Sequence, residues 1–71
     1  MLTIKVYSRT TGNPAPHIAV GLGNNDGVYR ETTNSNGEAN FQSASPGTFE
    51  VYVGGKTVYK GHLSGEKIFY V

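Results

Sequence analysis

Apolar and polar residues alternate along most of the chain, in short runs that end at glycine, proline or asparagine. An alternation with a period of 2 places successive side chains on opposite faces of a β-strand, whereas a helix needs a period near 3.6. Leu2, Ile4 and Val6 form one apolar set of this kind. The pattern predicts six or seven short strands, at 2–7, 17–22, 28–33, 38–42, 48–53, 56–60 and 66–71.

Turn-forming residues separate the runs, and one turn predicts a register. Gly54-Gly55 fits a two-residue hairpin loop between two alternating runs. In the register that this loop predicts, Val51 lies opposite Val58. Two residues further along, Phe49 lies opposite Lys60. Other turns are predicted at 23–27 and 34–37, which are rich in Gly, Asn and Asp, and a loop at 8–16, which contains two prolines.

Length and composition favour one domain spanning residues 1–71, with a thin core. A chain of 71 residues buries only about 60% of its unfolded surface on folding. The sequence has no cysteine, which excludes disulfide bonds and thiolate metal sites as sources of stability. Good turns, a closed sheet or a partner subunit are the remaining means of stabilising such a chain.

Charge and hydropathy narrow the expected partners and location. Six Lys and Arg against five Asp and Glu give a net charge of +1, and the charges are scattered, so no nucleic-acid partner is expected. No apolar stretch approaches the ~20 residues of a membrane-spanning helix. The first six residues alternate and lack the apolar core of a signal peptide. The sequence therefore predicts a soluble, cytoplasmic protein with no membrane partner.

Three segments carry a resemblance to a known family. Residues 12–20 match a Gly-x-Pro turn that leads into a core strand. Thr33, Asn36-Gly37 and Phe41 match a Thr…(Asp/Asn)-Gly-x-x-x-Phe motif. Residues 45–53 match a Pro-Gly-x-Tyr-x-Val-x-Val strand. In these motifs the chain resembles the transthyretin-like, carboxypeptidase regulatory-like domains. The resemblance implies a small antiparallel β-sandwich of the transthyretin-like, Ig-like kind, and it transfers fold rather than function.

The resemblance also bears on catalysis. The enzymatic branch of the transthyretin superfamily, hydroxyisourate hydrolase, uses His and Arg residues and ends in Tyr-Arg-Gly-Ser, whereas this chain ends in Phe69-Tyr70-Val71. That catalytic set has no counterpart here. His17 and His62 are far apart in the sequence, and no Cys or close acidic pair completes a set of metal ligands. We therefore expect no catalytic residues, no metal, no cofactor and no enzymatic activity.

The last predicted strand breaks the alternation, because Ile68, Phe69, Tyr70 and Val71 are four consecutive apolar residues. Such a run is typical of a strand covered on both faces, yet a chain this small has one core to offer. A second chain is one explanation for the additional cover. The alternative is that Phe69 and Val71 pack under the loop at 8–16. We predict a non-catalytic interaction or assembly module that binds a protein partner, or a second copy of itself, through these four residues.

Tyrosine is frequent, with 5 among the 71 residues. Tyr7, Tyr29 and Tyr52 alternate out of phase with the inward residues of their strands, which predicts that they share the outer face of one sheet. Exposed coplanar aromatic rings can stack on sugars, so carbohydrate binding by this face is the alternative function. The purely structural explanation is that tyrosine has a high β-propensity and shields the outer surface of a sheet.

Overall fold

The computed structural model describes residues 1–71 and contains seven β-strands and no helix. The all-β class and the number of short strands predicted from the alternating pattern are confirmed. The first strand keeps its predicted bounds, and each of the others differs by one to three residues at one or both ends. The strands are β1 (Leu2–Tyr7), β2 (Ala19–Asn24), β3 (Gly27–Thr32), β4 (Glu38–Phe41), β5 (Gly47–Val53), β6 (Lys56–Leu63) and β7 (Glu66–Tyr70).

The strands form two sheets that pack face to face. The smaller sheet has the order β4-β1-β7, and the larger has the order β3-β2-β5-β6. All neighbouring strands are antiparallel except β1 and β7, which run parallel. This parallel pair differs from the fully antiparallel sandwich that the sequence predicts. After β6 the chain passes to the opposite sheet and enters it beside β1. The segment from β2 to β6 is thus the long connection that parallel neighbours require.

One apolar core lies between the two sheets. β1 shows how the sequence builds it, since its apolar residues are buried and the residues between them are only half-buried. Tyr29, Tyr59 and Phe69 pack against this core from three of the edge strands. The 12 buried apolar residues are Leu2, Ile4, Val6, Val20, Leu22, Ala39, Phe41, Ala44, Phe49, Val51, Val53 and Leu63.

The β5–β6 hairpin keeps its two-residue loop but not its predicted register. Tyr52 pairs with Thr57 beside the loop. The next residue of β5, Val51, pairs with Tyr59. Val58 is therefore an extra residue in β6, which makes the irregularity a β-bulge.

The predicted pairs of Val51 with Val58 and of Phe49 with Lys60 are wrong, and burial explains why. In the predicted register Lys60 would face the core beside Phe49. The bulge turns Lys60 outward and brings Leu63, which is only 1% exposed, inward. A shift of one residue exchanges the two faces of a strand, so the register that buries apolar side chains prevails.

The second strand begins later than predicted. His17 has φ 59°, in the left-handed region, so the extended strand cannot pass through it and begins at Ala19 instead. The Thr33 hydroxyl accepts a hydrogen bond from the Ile18 N–H at 2.8 Å. It donates another to the Ala15 C=O at 2.7 Å. The buried Thr33 thus leaves β3 and fastens the loop that precedes β2.

Candidate functional site

Each sheet has two edge strands, and the four edges are not equally open. β3 and β6 border the larger sheet, and β4 and β7 border the smaller one. Proteins protect such edges with short strands, bulges and charged residues. β4 has 4 residues, β6 carries the bulge and three charged or histidine side chains, and β3 exposes an Arg-Glu pair. β7 also begins with a charged pair, Glu66 and Lys67, but it has no bulge and exposes 48% of Ile68 and 56% of Tyr70. β3 exposes one large apolar residue, Val28, so the outer edge of β7 is the candidate site.

The backbone of β7 bonds to β1 on one side only. At its start, the Gly65 C=O accepts a hydrogen bond from the Thr3 N–H at 2.9 Å. At its end, the Val71 N–H donates to the Tyr7 C=O at 2.9 Å. Backbone groups alternate in direction along a strand, so the residues from Gly65 to Val71 direct their N–H and C=O groups in turn to β1 and to the open edge. The residues whose N–H and C=O groups face the open edge are Glu66, Ile68 and Tyr70.

The four residues predicted as the interaction site do not share one face. Phe69 points inward, where it packs against the core with its ring 5.7 Å from that of Tyr59. Ile68 and Tyr70 alternate with it and lie on the outer face of the sheet. Val71 continues the pairing with β1 and is 46% exposed. The apolar run therefore completes the core with one residue and leaves the other three partly exposed.

The loop at 8–16 meets the end of this run through Arg9. The Arg9 N–H donates to the Val71 C=O at 2.8 Å, and the guanidinium donates to the Tyr70 C=O at 3.4 Å. The loop therefore covers backbone acceptors and leaves the Tyr70 and Val71 side chains partly exposed. An open groove of 720 Å³ lies between the ends of β6 and β7, and it is lined by Arg9, Thr10, Val53, Lys56, Val58, Tyr70 and Val71.

Lys5 fastens β7 to the rest of the smaller sheet on its outer face. Its Nζ atom lies 3.3 Å from Glu66 Oε1 and 3.6 Å from Glu38 Oε2, so it links β1 to both neighbouring strands. The hydrogen bond and charge of Glu66, with a smaller contribution from Glu38, raise the pKa of Lys5 above its usual value. Further along this face the rings of Tyr7 and Tyr70 lie 5.9 Å apart. β7 is thus firmly held on its β1 side.

The prediction of a shared tyrosine face is wrong. Tyr7 lies on the outer face of the smaller sheet, and Tyr52 lies on the outer face of the larger one. Tyr29 points inward from β3, and its ring packs against Phe49 at a centroid distance of 6.3 Å. Alternation gives the phase of a residue within its strand, but it does not show which sheet the strand joins. In a polar strand such as β3, it does not show which phase is buried either.

Tyr52 covers the centre of the larger sheet. Its ring lies over Gly21 and Gly23, where a Cβ added to Gly23 would lie 3.1 Å from the ring. Burial against the sheet raises the pKa of Tyr52, and the charge and hydrogen bond of Glu50 add to this effect. An open trough of 780 Å³ lies between the ring and Arg30. This arrangement matches the shielding role of tyrosine on the outer surface of a sheet.

The two histidines are not brought together. His17 is exposed in the turn before β2, and His62 is exposed on β6 opposite Thr48. No group of three or more His, Cys, Asp or Glu side chains is placed to hold a metal ion. No helix in the structure has the length and hydrophobicity to cross a membrane.

Comparison with known proteins gives the family of the chain. No curated protein and no solved structure matches it. A family model described as "DR_A0283-like, Ig-like domain" matches residues 1–69. The match supports an Ig-like β-sandwich and does not extend to the transthyretin-like, carboxypeptidase regulatory-like subfamily that the turn motifs resemble. Because this match covers nearly the whole seven-stranded sandwich, the chain belongs to the DR_A0283-like family of Ig-like domains.

Proposed function

We propose that this Ig-like domain is a non-catalytic interaction module that associates with a second copy of itself through the open edge of β7. Ig-like domain families are generally non-enzymatic, which supports the first half of the proposal. One observation carries the second half: backbone groups that have no strand partner and exposed apolar side chains occur together along β7.

Backbone and side chains of β7 favour the same mode of association. An added strand satisfies the N–H and C=O groups that face the open edge. It also shields Ile68 and Tyr70, and complete burial of an apolar side chain contributes roughly 1.5–3 kcal/mol. Association costs roughly 4–15 kcal/mol in translational and rotational freedom. These two side chains are already about half-buried, so the gain and the cost are of similar size. We therefore expect a weak dimer, well short of nanomolar affinity.

Lys67 is the charged residue on the inner face of β7. Inward-facing charges on edge strands commonly block the addition of another strand. The Lys67 Nζ atom, however, lies 4.7 Å from the centre of the Tyr59 ring of the same chain, in a cation–π contact. Held over this ring, Lys67 does not project across the open edge, and the usual obstacle to pairing is absent.

Replacing Ile68 with proline tests the proposal. The Ile68 N–H faces the open edge, so its loss removes no sheet hydrogen bond from the isolated domain, and edge strands tolerate proline in such a position. In a dimer paired through β7, the same change removes a donor from the interface and places the proline ring against the second copy. We expect dimerisation to weaken by roughly tenfold or more, measured by size exclusion with light scattering over a concentration series.

Ile68→Thr is the matched control, because it keeps the N–H group and the β-branched shape but loses apolar surface. We expect it to weaken dimerisation less than Ile68→Pro does. Circular dichroism and thermal unfolding check that both variants keep the fold. A wild-type chain that stays monomeric at every concentration contradicts the proposal, as does an Ile68→Pro variant that dimerises like the wild type.

The three tyrosines that suggested carbohydrate binding lie on separate surfaces, so that alternative has no shared aromatic platform to support it. The cytoplasmic location stays a prediction from the sequence.

A further inference from the structure

The residues along β7 also point to the arrangement of the two copies, an inference that rests on the function proposed above. We propose that two β7 strands pair antiparallel about a two-fold axis through Ile68. Glu66 of each copy then lies opposite Tyr70 and beside Arg9 of the other copy. The interface thereby combines a backbone ladder, an apolar contact at the axis and an ion pair at each end.

A regular antiparallel ladder restricts how a strand pairs with its own copy. Residues directly opposite each other lie on the same face and direct their backbone groups the same way. A residue of β7 therefore pairs either with itself or with a residue an even number of positions away. It follows that the two-fold axis passes through one residue of the strand.

β7 (Glu66–Tyr70) offers five such centres, and Ile68 is the most favourable. A centre at Glu66 or Lys67 places like charges directly opposite each other, which destabilises a strand pair. A centre at Phe69 or Tyr70 leaves the first residues of the strand unpaired. A centre at Ile68 pairs the whole strand, with Glu66 opposite Tyr70, Lys67 opposite Phe69, and Ile68 opposite its own counterpart.

The charges near the open edge favour the same register. The Arg9 guanidinium bonds the Tyr70 C=O, so it lies at the edge that the second copy would approach. Arg9 has no acidic partner in its own chain, since both ion pairs belong to Lys5. In the register centred on Ile68, Glu66 of the second copy arrives opposite Tyr70 and within reach of Arg9. The Tyr70 oxygen has two lone pairs, so it can accept from the second strand while it keeps Arg9.

Glu66 then joins the two copies through a small charge network. Within its own chain it already lies 3.3 Å from the Lys5 Nζ atom. Across the interface it gains Arg9, so charges alternate in sign from β1 of one copy to the loop of the other. Exposed ion pairs contribute little to stability, but complementary charges select the orientation and register of a complex. The apolar contact between the two Ile68 side chains supplies the burial.

Single cysteines test this register in a chain that has none of its own. In a hydrogen-bonded antiparallel pair the two Cα atoms are about 5.5 Å apart, which is within the span of a disulfide. Ile68→Cys is therefore expected to couple with itself under mild oxidation, at concentrations where the wild type dimerises. Glu66→Cys and Tyr70→Cys are each expected to stay uncoupled when alone, and their equimolar mixture is expected to give a mixed dimer.

Val28→Cys is the matched control, because Val28 is 53% exposed on the edge strand β3 and reports random collisions. Non-reducing electrophoresis measures the coupling. Self-coupling of Glu66→Cys or Tyr70→Cys in place of Ile68→Cys overturns the register while association through β7 stands. A dimer by light scattering in which no β7 cysteine couples faster than Val28→Cys overturns both the register and the use of β7. A monomeric wild type overturns the proposed function itself.

Discussion

Gly37 leaves less room for a side chain than any other glycine in the domain. A Cβ added to it would lie 2.5 Å from the Val6 carbonyl oxygen and 3.0 Å from the Cβ of Pro14. The two residues are also joined by a hydrogen bond, which the Val6 N–H donates to the Gly37 C=O at 2.8 Å. The turn before β4 thus packs directly against the end of β1.

Gly37→Ala is expected to destabilise the domain more than Gly12→Ala, although both glycines have φ 76°. The left-handed conformation alone costs an alanine roughly 1–2 kcal/mol, and nothing lies within 4 Å of a Cβ added to Gly12. At Gly37 the backbone clash adds roughly 1–3 kcal/mol. Urea unfolding of the two variants measures the difference. Equal losses would show that conformation alone, and not the contact with Val6, limits this position.

Individual residues differ in how far the sequence reveals their role. The inward residues of β1 and β5 were predictable because their burial follows the local alternation. Thr33 was expected at the end of a strand, yet its buried hydroxyl joins Ile18 and Ala15. Those partners are brought near only when the loop before β2 folds back, so no local pattern identifies them. The sequence places Tyr29 on the wrong face for a related reason, since the adjacent Val28 is also apolar and yet lies on the exposed face.

The register of β6 depends on one extra residue, Val58. Deleting Val58 would leave a regular hairpin in which Tyr59 still pairs with Val51. Tyr59 and Leu63 would keep their inward positions, so the core stays filled. We expect the free energy of unfolding to change by no more than about 1 kcal/mol, measured by urea unfolding.

Deleting His62 from the same strand is the matched control, since this side chain is also exposed. The shortened strand has two ways to adjust. In one, Leu63 leaves the core; in the other, the bulge disappears and Lys60 turns inward opposite Phe49. Either adjustment is expected to cost roughly 2–5 kcal/mol. Similar losses for the two deletions would contradict the placement of the bulge at Val58.

At the scale of elements, the pairing of β5 with β6 was predictable beside the hairpin loop but not along the rest of the two strands. The loop at Gly54-Gly55 determines the first pairs, which lie beside it. The bulge at Val58, which follows these pairs, depends on the packing of Tyr59 and Leu63 in the folded core. The open edge of β7 was likewise only partly predictable. Its apolar run stood out in the sequence, but its division between core and surface follows from the pairing with β1.

Two groups with raised pKa values lie on opposite outer faces of the sandwich, Lys5 on the smaller sheet and Tyr52 on the larger. For both, the folded state holds the proton more tightly than the unfolded chain does. The stability they contribute is therefore complete below their ordinary pKa values, 10.5 and 10.0, and is lost as the pH rises through the raised ones. We expect the whole domain to lose stability in this alkaline range.

A double variant, Lys5→Gln with Tyr52→Phe, removes both titrations. It is expected to lose less stability than the wild type between neutral and strongly alkaline pH, measured by urea unfolding at each pH. Lys60→Gln is the control, because Lys60 is exposed and forms no ion pair. Parallel pH dependences of wild type and double variant would contradict the prediction.

At the scale of the whole molecule, the fold class was predictable and the connectivity was only partly so. Seven alternating runs separated by turns are sufficient to predict a small sandwich. Turn motifs such as Asn36-Gly37 and Pro46-Gly47 are useful in many sandwiches, so they resemble more than one family and do not separate Ig-like from transthyretin-like domains. The parallel pairing of β1 with β7 joins segments from the two ends of the sequence, and no local pattern encodes it.

That parallel pairing also determines how the domain bears mechanical load. Thr3 pairs with Glu66 at one end of the β1–β7 ladder, and Tyr7 pairs with Tyr70 at the other. Tension applied before β1 and after β7 therefore pulls the two strands past each other along their length. The hydrogen bonds of the ladder then resist together in shear, whereas a hairpin pulled at its open end separates one bond at a time. We therefore expect the β1–β7 ladder to resist tension applied at these two points more strongly than the β5–β6 hairpin would if pulled open from its ends.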